Sequence, residues 1–141
     1  MPIVGGRLLH IMLHVNQLDR SLAFYTGALG MRVLRQREIP DEGRRVAFVG
    51  FGEESTTTVV ELTEWANVAA PDRHGGREHL AIGVPNAVAA CDALRASGAP
   101  IVQEPTALST GTAIVAFTRD PDGYPVEIVQ RLDWPPDGGG R

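Results

Sequence analysis

The chain has 141 residues, the size of one ordinary domain, with 43% hydrophobic and 21% charged residues, the balance of a globular fold. Its net charge of −4 and lack of a basic cluster argue against nucleic acid as a partner, and no apolar run approaches the roughly 20 residues of a membrane helix. The single cysteine, Cys91, excludes an intramolecular disulfide and fits a cytoplasmic setting, and Met1–Arg7 lacks the basic-then-apolar order of a secretion signal.

After a loose lead-in at residues 1–6, residues 8–15 read as a strand. Leu9, Ile11, Leu13 and Val15 face one way, and Leu8, His10, Met12 and His14 the other. A helix is expected from about Leu18 to Leu29. Leu18, Leu22, Tyr25 and Leu29 form its apolar stripe, Asn16 or Asp19 its cap and Gly30 its stop. Three strand-like runs follow, Met31–Ile39, Arg44–Phe51 and Thr56–Thr63, separated by the turns Pro-Asp-Glu-Gly and Gly-Glu-Glu-Ser. Residues 64–77, with Pro71, Gly75 and Gly76, show no clear period and read as a connector.

The pattern then restarts. Glu78–Val84 reads as a strand. Asn86 caps a helix with Val88, Cys91 and Leu94 on its inner face, ending at Gly98. Ile101–Gln103, Thr112–Thr118 and Tyr124–Gln130 are strands, the last entered through the turn Asp120-Pro121-Asp122-Gly123. Residues 131–141 are expected to form a disordered or loosely docked tail.

The chain therefore contains strand–helix–strand–strand–strand twice, an α+β pattern of two βαβββ modules. Module one covers about 7–63 and module two about 78–130, together a single domain over 7–130. In each module a histidine sits on the first strand and a glutamate on the last, among apolar neighbours: His10 and Glu61, then His79 and Glu127, 51 and 48 residues apart. An ionised carboxylate in such surroundings is costly unless a cation meets it. Taken singly, a strand histidine is more often a hydrogen-bonded core or surface residue, and a strand glutamate a solvated face. Matched placement in both copies favours one metal site. Two imidazoles and two carboxylates suit a borderline divalent ion and leave up to two positions for water or substrate. Cys91 reads as a small core residue, His74 as an exposed connector residue and Trp65 as packing.

The segments Arg7–Leu13, Leu22–Thr26 with Leu29-Gly30-Met31, Ala47–Gly50, Val60–Thr63, His79-Leu80-Ala81 and Asp120–Tyr124 with Glu127 resemble glyoxalase I, the lactoylglutathione lyase family of the vicinal oxygen chelate superfamily. The resemblance runs from about Arg7 to Gln130. It implies open barrels built from paired βαβββ units and a homodimer with the metal between subunits, bound by His10 and Glu61 of one chain and His79 and Glu127 of the other. It implies one divalent metal per site (Ni, Co or Zn). It also implies isomerisation of the methylglyoxal–glutathione hemithioacetal to S-lactoylglutathione through a metal-stabilised ene-diolate. Glu127 would be the leading base, with Glu61 as its near-symmetric partner.

Three positions depart from that pattern. An arginine common four residues after the first ligand is His14 here, on the same strand face as His10 and a candidate substrate contact. An asparagine common shortly after the first glutamate is displaced to Asn67, and a lysine common in the loop before the fourth strand of module two is absent from Leu108–Thr112. Other thiols, a thiol transferase, a dioxygenase or a non-enzymatic drug-binding protein of the same fold are the competing readings.

Overall fold

The computed structural model describes residues 1–134. The chain divides between Pro71 and Asp72 into two compact units. In the first, β1 (His10–His14) leads into α1 (Leu18–Leu22), which continues as a π-helical stretch over Ala23–Ala28. There follow β2 (Arg32–Ile39), β3 (Arg44–Gly50) and β4 (Val59–Trp65). The four strands lie in the order β1-β4-β3-β2, with β1 parallel to β4 and the other pairs antiparallel.

The second unit has β5 (Leu80–Gly83), α2 (Ala87–Ala96), β6 (Ile101–Ala107), β7 (Ala113–Arg119) and β8 (Pro125–Arg131). Its sheet has the order β5-β8-β7-β6, with β5 parallel to β8. Both sheets are open and mixed. Each sets the first strand of its sequence repeat directly beside the last, so residues about fifty positions apart become neighbours.

Burial is not confined to one face of each sheet, since Val46 through Gly50 of β3 are all enclosed. Val15, Leu18, Tyr25, Val49 and Leu62 fill the first core, and Cys91, Leu94, Val126 and Ile128 the second. Burial pushes the Cys91 thiol pKa up, in keeping with an inert core residue.

Several local expectations change. Leu9 and Ile11 are exposed because β1 is an edge strand whose inward alternation is covered only from Leu13 onward. Neither Asn16 nor Asp19 caps α1. The carboxylate of Glu64, from β4, accepts from Leu18 N–H at 2.7 Å, while Asn16 accepts from Ala70 N–H. On α2, Asn86 does cap, accepting from Ala89 N–H at 2.9 Å, but Ala87 takes the inner position with Cys91 and Leu94, and Val88 is exposed. The short strand expected at Ile101–Gln103 extends to Ala107 through two register shifts. Of the expected tail, Arg131 ends β8 and its guanidinium lies over the Trp134 ring; residues 135–141 lie outside the described residues.

Candidate metal centre

Sheet register brings each candidate histidine to its glutamate. In the first sheet His10 lies opposite Val59 and Met12 opposite Glu61, which makes His10 and Glu61 diagonal neighbours on one face. His10 Nε2 stands 3.4 Å from Glu61 Oε1. In the second sheet Leu80 lies opposite Val126 and Ala81 opposite Glu127. His79, one residue before β5, is therefore diagonal to Glu127 in the same sense, with Nε2 3.5 Å from Oε1.

The surroundings repeat as well. Phe48 lies opposite Glu61, and its ring meets His10 edge-on at 5.5 Å. Phe117 lies opposite Glu127 and meets His79 edge-on at 5.3 Å. These rings fix the imidazole planes. Sequence reasoning missed both, although Val-Ala-Phe recurs at 46–48 and 115–117. The carboxylate side chains are mostly shielded, at 15% and 22% exposure, whereas the imidazoles are more open, at 41% and 35%.

The hydrogen bonding behind each pair differs. His79 Nδ1 faces the Arg77 carbonyl oxygen at 2.8 Å, and a carbonyl only accepts, so Nδ1 carries the proton. In the neutral ring Nε2 is then a bare lone pair directed toward a carboxylate oxygen. Two acceptors at that separation repel unless a cation lies between them, and a ring nitrogen donating to a backbone carbonyl is the usual support for a metal-ligating histidine. In the first unit the support is on the acid. Thr63, fully buried, donates its hydroxyl to Glu61 Oε2 at 2.7 Å. The corresponding residue two positions after Glu127 is Val129, which offers no such bond.

Donor spacing supplies a test of fit. Two donors each about 2.1 Å from an ion stand about 3.0 Å apart when cis in an octahedron and about 3.4 Å apart in a tetrahedron. The observed 3.4 and 3.5 Å lie at and just above the wider of these spacings, and beyond an ordinary N–H···O bond. Both pairs fit as half of a donor set. Among the described residues no three His, Cys, Asp or Glu side chains form a group able to hold a metal, so each unit presents two donors rather than four.

His14 shares the His10 face of β1. Its Nε2–H donates to the Val68 carbonyl at 3.1 Å and its ring meets Trp65 edge-on at 4.8 Å. Beside the first pair, the Arg35 guanidinium stacks 3.7 Å above Phe48 and binds both oxygens of Glu54, which holds the Glu54 carboxyl below the usual range. The turn before β8 is built by Asp120, whose Oδ1 accepts from the N–H groups of Asp122 and Tyr124. Gly123 closes it at φ 89°, where a Cβ would come within 2.5 Å of the His74 ring. His74 is thus exposed, as expected, yet seated on the turn that starts the glutamate-bearing strand.

A family model described as the Glyoxalase/Bleomycin resistance protein/Dioxygenase superfamily matches residues 7–128. The chain belongs to this superfamily. Within it, the lactoylglutathione lyase of Salmonella typhimurium is 42% identical over 127 residues, which cover 90% of this chain and 94% of that one. Glyoxalase I from Zea mays superposes with a TM-score of 0.83 at 40% identity over 92% of this chain, which spans 46% of the maize chain. Glyoxalase I from Leishmania major, described as trypanothione-dependent, superposes with a TM-score of 0.78 at 37% identity, over 89% of this chain and 87% of that one. The resemblance read from the sequence and the two-module α+β fold are both borne out. Glyoxalase I membership implies a divalent metal, and the two imidazole–carboxylate pairs fit one.

Proposed function

We propose that this chain is a metal-dependent isomerase of the lactoylglutathione lyase type, converting the methylglyoxal–glutathione hemithioacetal to S-lactoylglutathione in the cytoplasm. The observation that carries the reading is the repeated pair: one imidazole and one carboxylate, at the same register and beside the same phenylalanine, in both sheets. Residues 7–130 act as one glyoxalase-like domain. His10, Glu61, His79 and Glu127 would hold the cation.

Completing four donors calls for a homodimer, with His10 and Glu61 from one subunit and His79 and Glu127 from the other. Exposed Leu8, Leu9, Ile11 and Met12, in and just before the edge strand that carries His10, support such an interface. The donor types suit Ni²⁺, Co²⁺ and Zn²⁺ alike. When bound, the ion supplies positive charge beside the two vicinal oxygens of the substrate and so acidifies the adjacent carbon.

Glu127 takes the proton from C1 and returns one to C2, with no redox cofactor. Its partner Glu61 is tied by the Thr63 hydroxyl, which suits a ligand held in one orientation. Glu127 has apolar Val129 at the equivalent place, which leaves its carboxylate freer to swing toward the reacting carbon. His10 and His79 serve as ligands only. His14, on the His10 face, contributes to the thiol side. Dioxygenase and thiol-transferase readings need three protein ligands and leave Glu61 without a task.

The test follows absorbance as methylglyoxal and glutathione are mixed with metal-stripped protein, with and without each of the three ions. Product should form only with protein and metal together. No bound divalent metal after dialysis against any of them, and no turnover, would transfer the chain to the non-enzymatic binding proteins of this fold.

A further inference from the structure

We propose that Arg77 and Arg119 form an anion subsite that takes a carboxylate on the thiol half of the substrate, an inference that rests on the isomerase reading above. A cleft of about 440 Å³ opens in the second unit, beside the candidate ligand His79. Arg77, Arg119 and Gln103 line it with polar groups, and Val102 and Phe117 with apolar ones. Among the described residues the Arg77 side chain makes no ion pair or hydrogen bond. The Arg119 guanidinium is held by one bond, Nη1 donating to the Gly123 carbonyl at 2.8 Å, which orients it and leaves its other N–H groups unspent. Asp72 stands close enough to feel Arg119, but its carboxylate is taken up by the backbone N–H and ring of His74.

The corresponding place in the first unit is electrically closed. Arg35 lies opposite Phe48 there, stacks on its ring and is matched by Glu54. Its counterpart opposite Phe117 is uncharged Gln103. The cationic character of the second cleft therefore comes from Arg77 and Arg119, at positions with no charged equivalent demanded by the repeat. Two guanidinium forks beside apolar side chains suit a carboxylate carried on a short, partly apolar chain. A thiol adduct whose reacting carbon sits at the His79–Glu127 pair would extend that chain into the cleft. This also supplies positive charge that the Leu108–Thr112 loop, without a lysine or arginine, does not.

Two measurements test the subsite. Calorimetry with S-hexylglutathione, which keeps both carboxylates and cannot form a hemithioacetal, should show binding to the wild type and roughly tenfold weaker binding to Arg77→Met. In steady state Arg77→Met should raise KM for the glutathione hemithioacetal by a similar factor, and far more than it raises KM for the uncharged 2-mercaptoethanol hemithioacetal. Arg77→Lys should recover part of the loss. Arg119→Lys, which can still donate to Gly123, should weaken binding without unfolding the turn.

Unchanged S-hexylglutathione affinity in Arg77→Met, or an equal rise in KM for charged and uncharged thiols, would overturn the subsite. A wild type that turns over no hemithioacetal would refute the isomerase reading separately. The calorimetry would then decide alone, and failure of the wild type to bind S-hexylglutathione would overturn the subsite as well.

Discussion

Thr63→Val isolates the contribution of a single hydroxyl to the metal centre. Valine has the same shape, so the fully buried site keeps its packing and no cavity forms. What disappears is the 2.7 Å O–H···O⁻ bond to Glu61 Oε2. Bonds to a charged group are worth about 1.5–3 kcal/mol, and Glu61 is only 15% exposed, so water replaces little of it. Two effects oppose each other. Without the hydroxyl the carboxylate is a slightly stronger donor, but it is no longer held in one rotamer facing His10. Orientation should prevail, because removing an outer-shell partner commonly lowers metal affinity about 10–100-fold, or about 1.4–2.7 kcal/mol.

The assay is competition for Zn²⁺ between metal-stripped protein and a chromophoric chelator. Thr63→Ser serves as a control that retains the bond. Affinity for Thr63→Val within twofold of wild type, with the fold intact by circular dichroism, would refute the view that Thr63 positions Glu61. The reciprocal change, Val129→Thr, offers Glu127 the same bond. It should lower kcat more than metal affinity, since it restrains the proposed base.

Further outcomes can be checked directly. Glu127→Gln should abolish isomerisation while leaving much of the metal bound; near-normal turnover would remove Glu127 as the base. Gly123→Ala should cost about 1–2 kcal/mol in chemical denaturation because alanine resists φ 89°, and the added Cβ must also displace the His74 ring. His74→Ala in that background should recover the steric part only, and full recovery would mean that φ is not the main cost. Glu54→Gln tests the Arg35 contact through pH. The Glu54 pKa is lowered in the fold, so its stabilisation is complete above the ordinary value of 4.5 and is lost as pH falls through the lower folded value. The variant should therefore melt earlier than wild type near pH 7, with the gap closing as pH falls below the lowered folded value. A gap that persists unchanged at low pH would show that the loss is not electrostatic.

Legibility in the sequence followed the distance between interacting residues. Asn86 sits three residues from the N–H it accepts, and Asp120 two and four from its own partners, so both motifs could be read as they stand. The cap of α1 could not, because its acceptor, Glu64, comes from β4, 46 residues away. Leu9 and Ile11 misled for a similar reason. Alternation marks which residues share a face, and only the position of β1 at the sheet edge decides whether that face is covered.

The candidate site divides along the same line. Repetition of the pattern, with His10 and His79 on first strands and Glu61 and Glu127 on last ones, was written in the order of residue types, because period and turn chemistry are local. Tertiary structure alone set β1 parallel to β4 and β5 parallel to β8, and with that register each imidazole came to stand 3.4 or 3.5 Å from its carboxylate. It alone placed the Thr63 hydroxyl on one glutamate, the Arg77 carbonyl on one histidine, and Arg77 and Arg119 around one cleft. Strand pairing is a choice between distant segments, made by burying both sheet faces at once, and no window along the chain contains both sides of it.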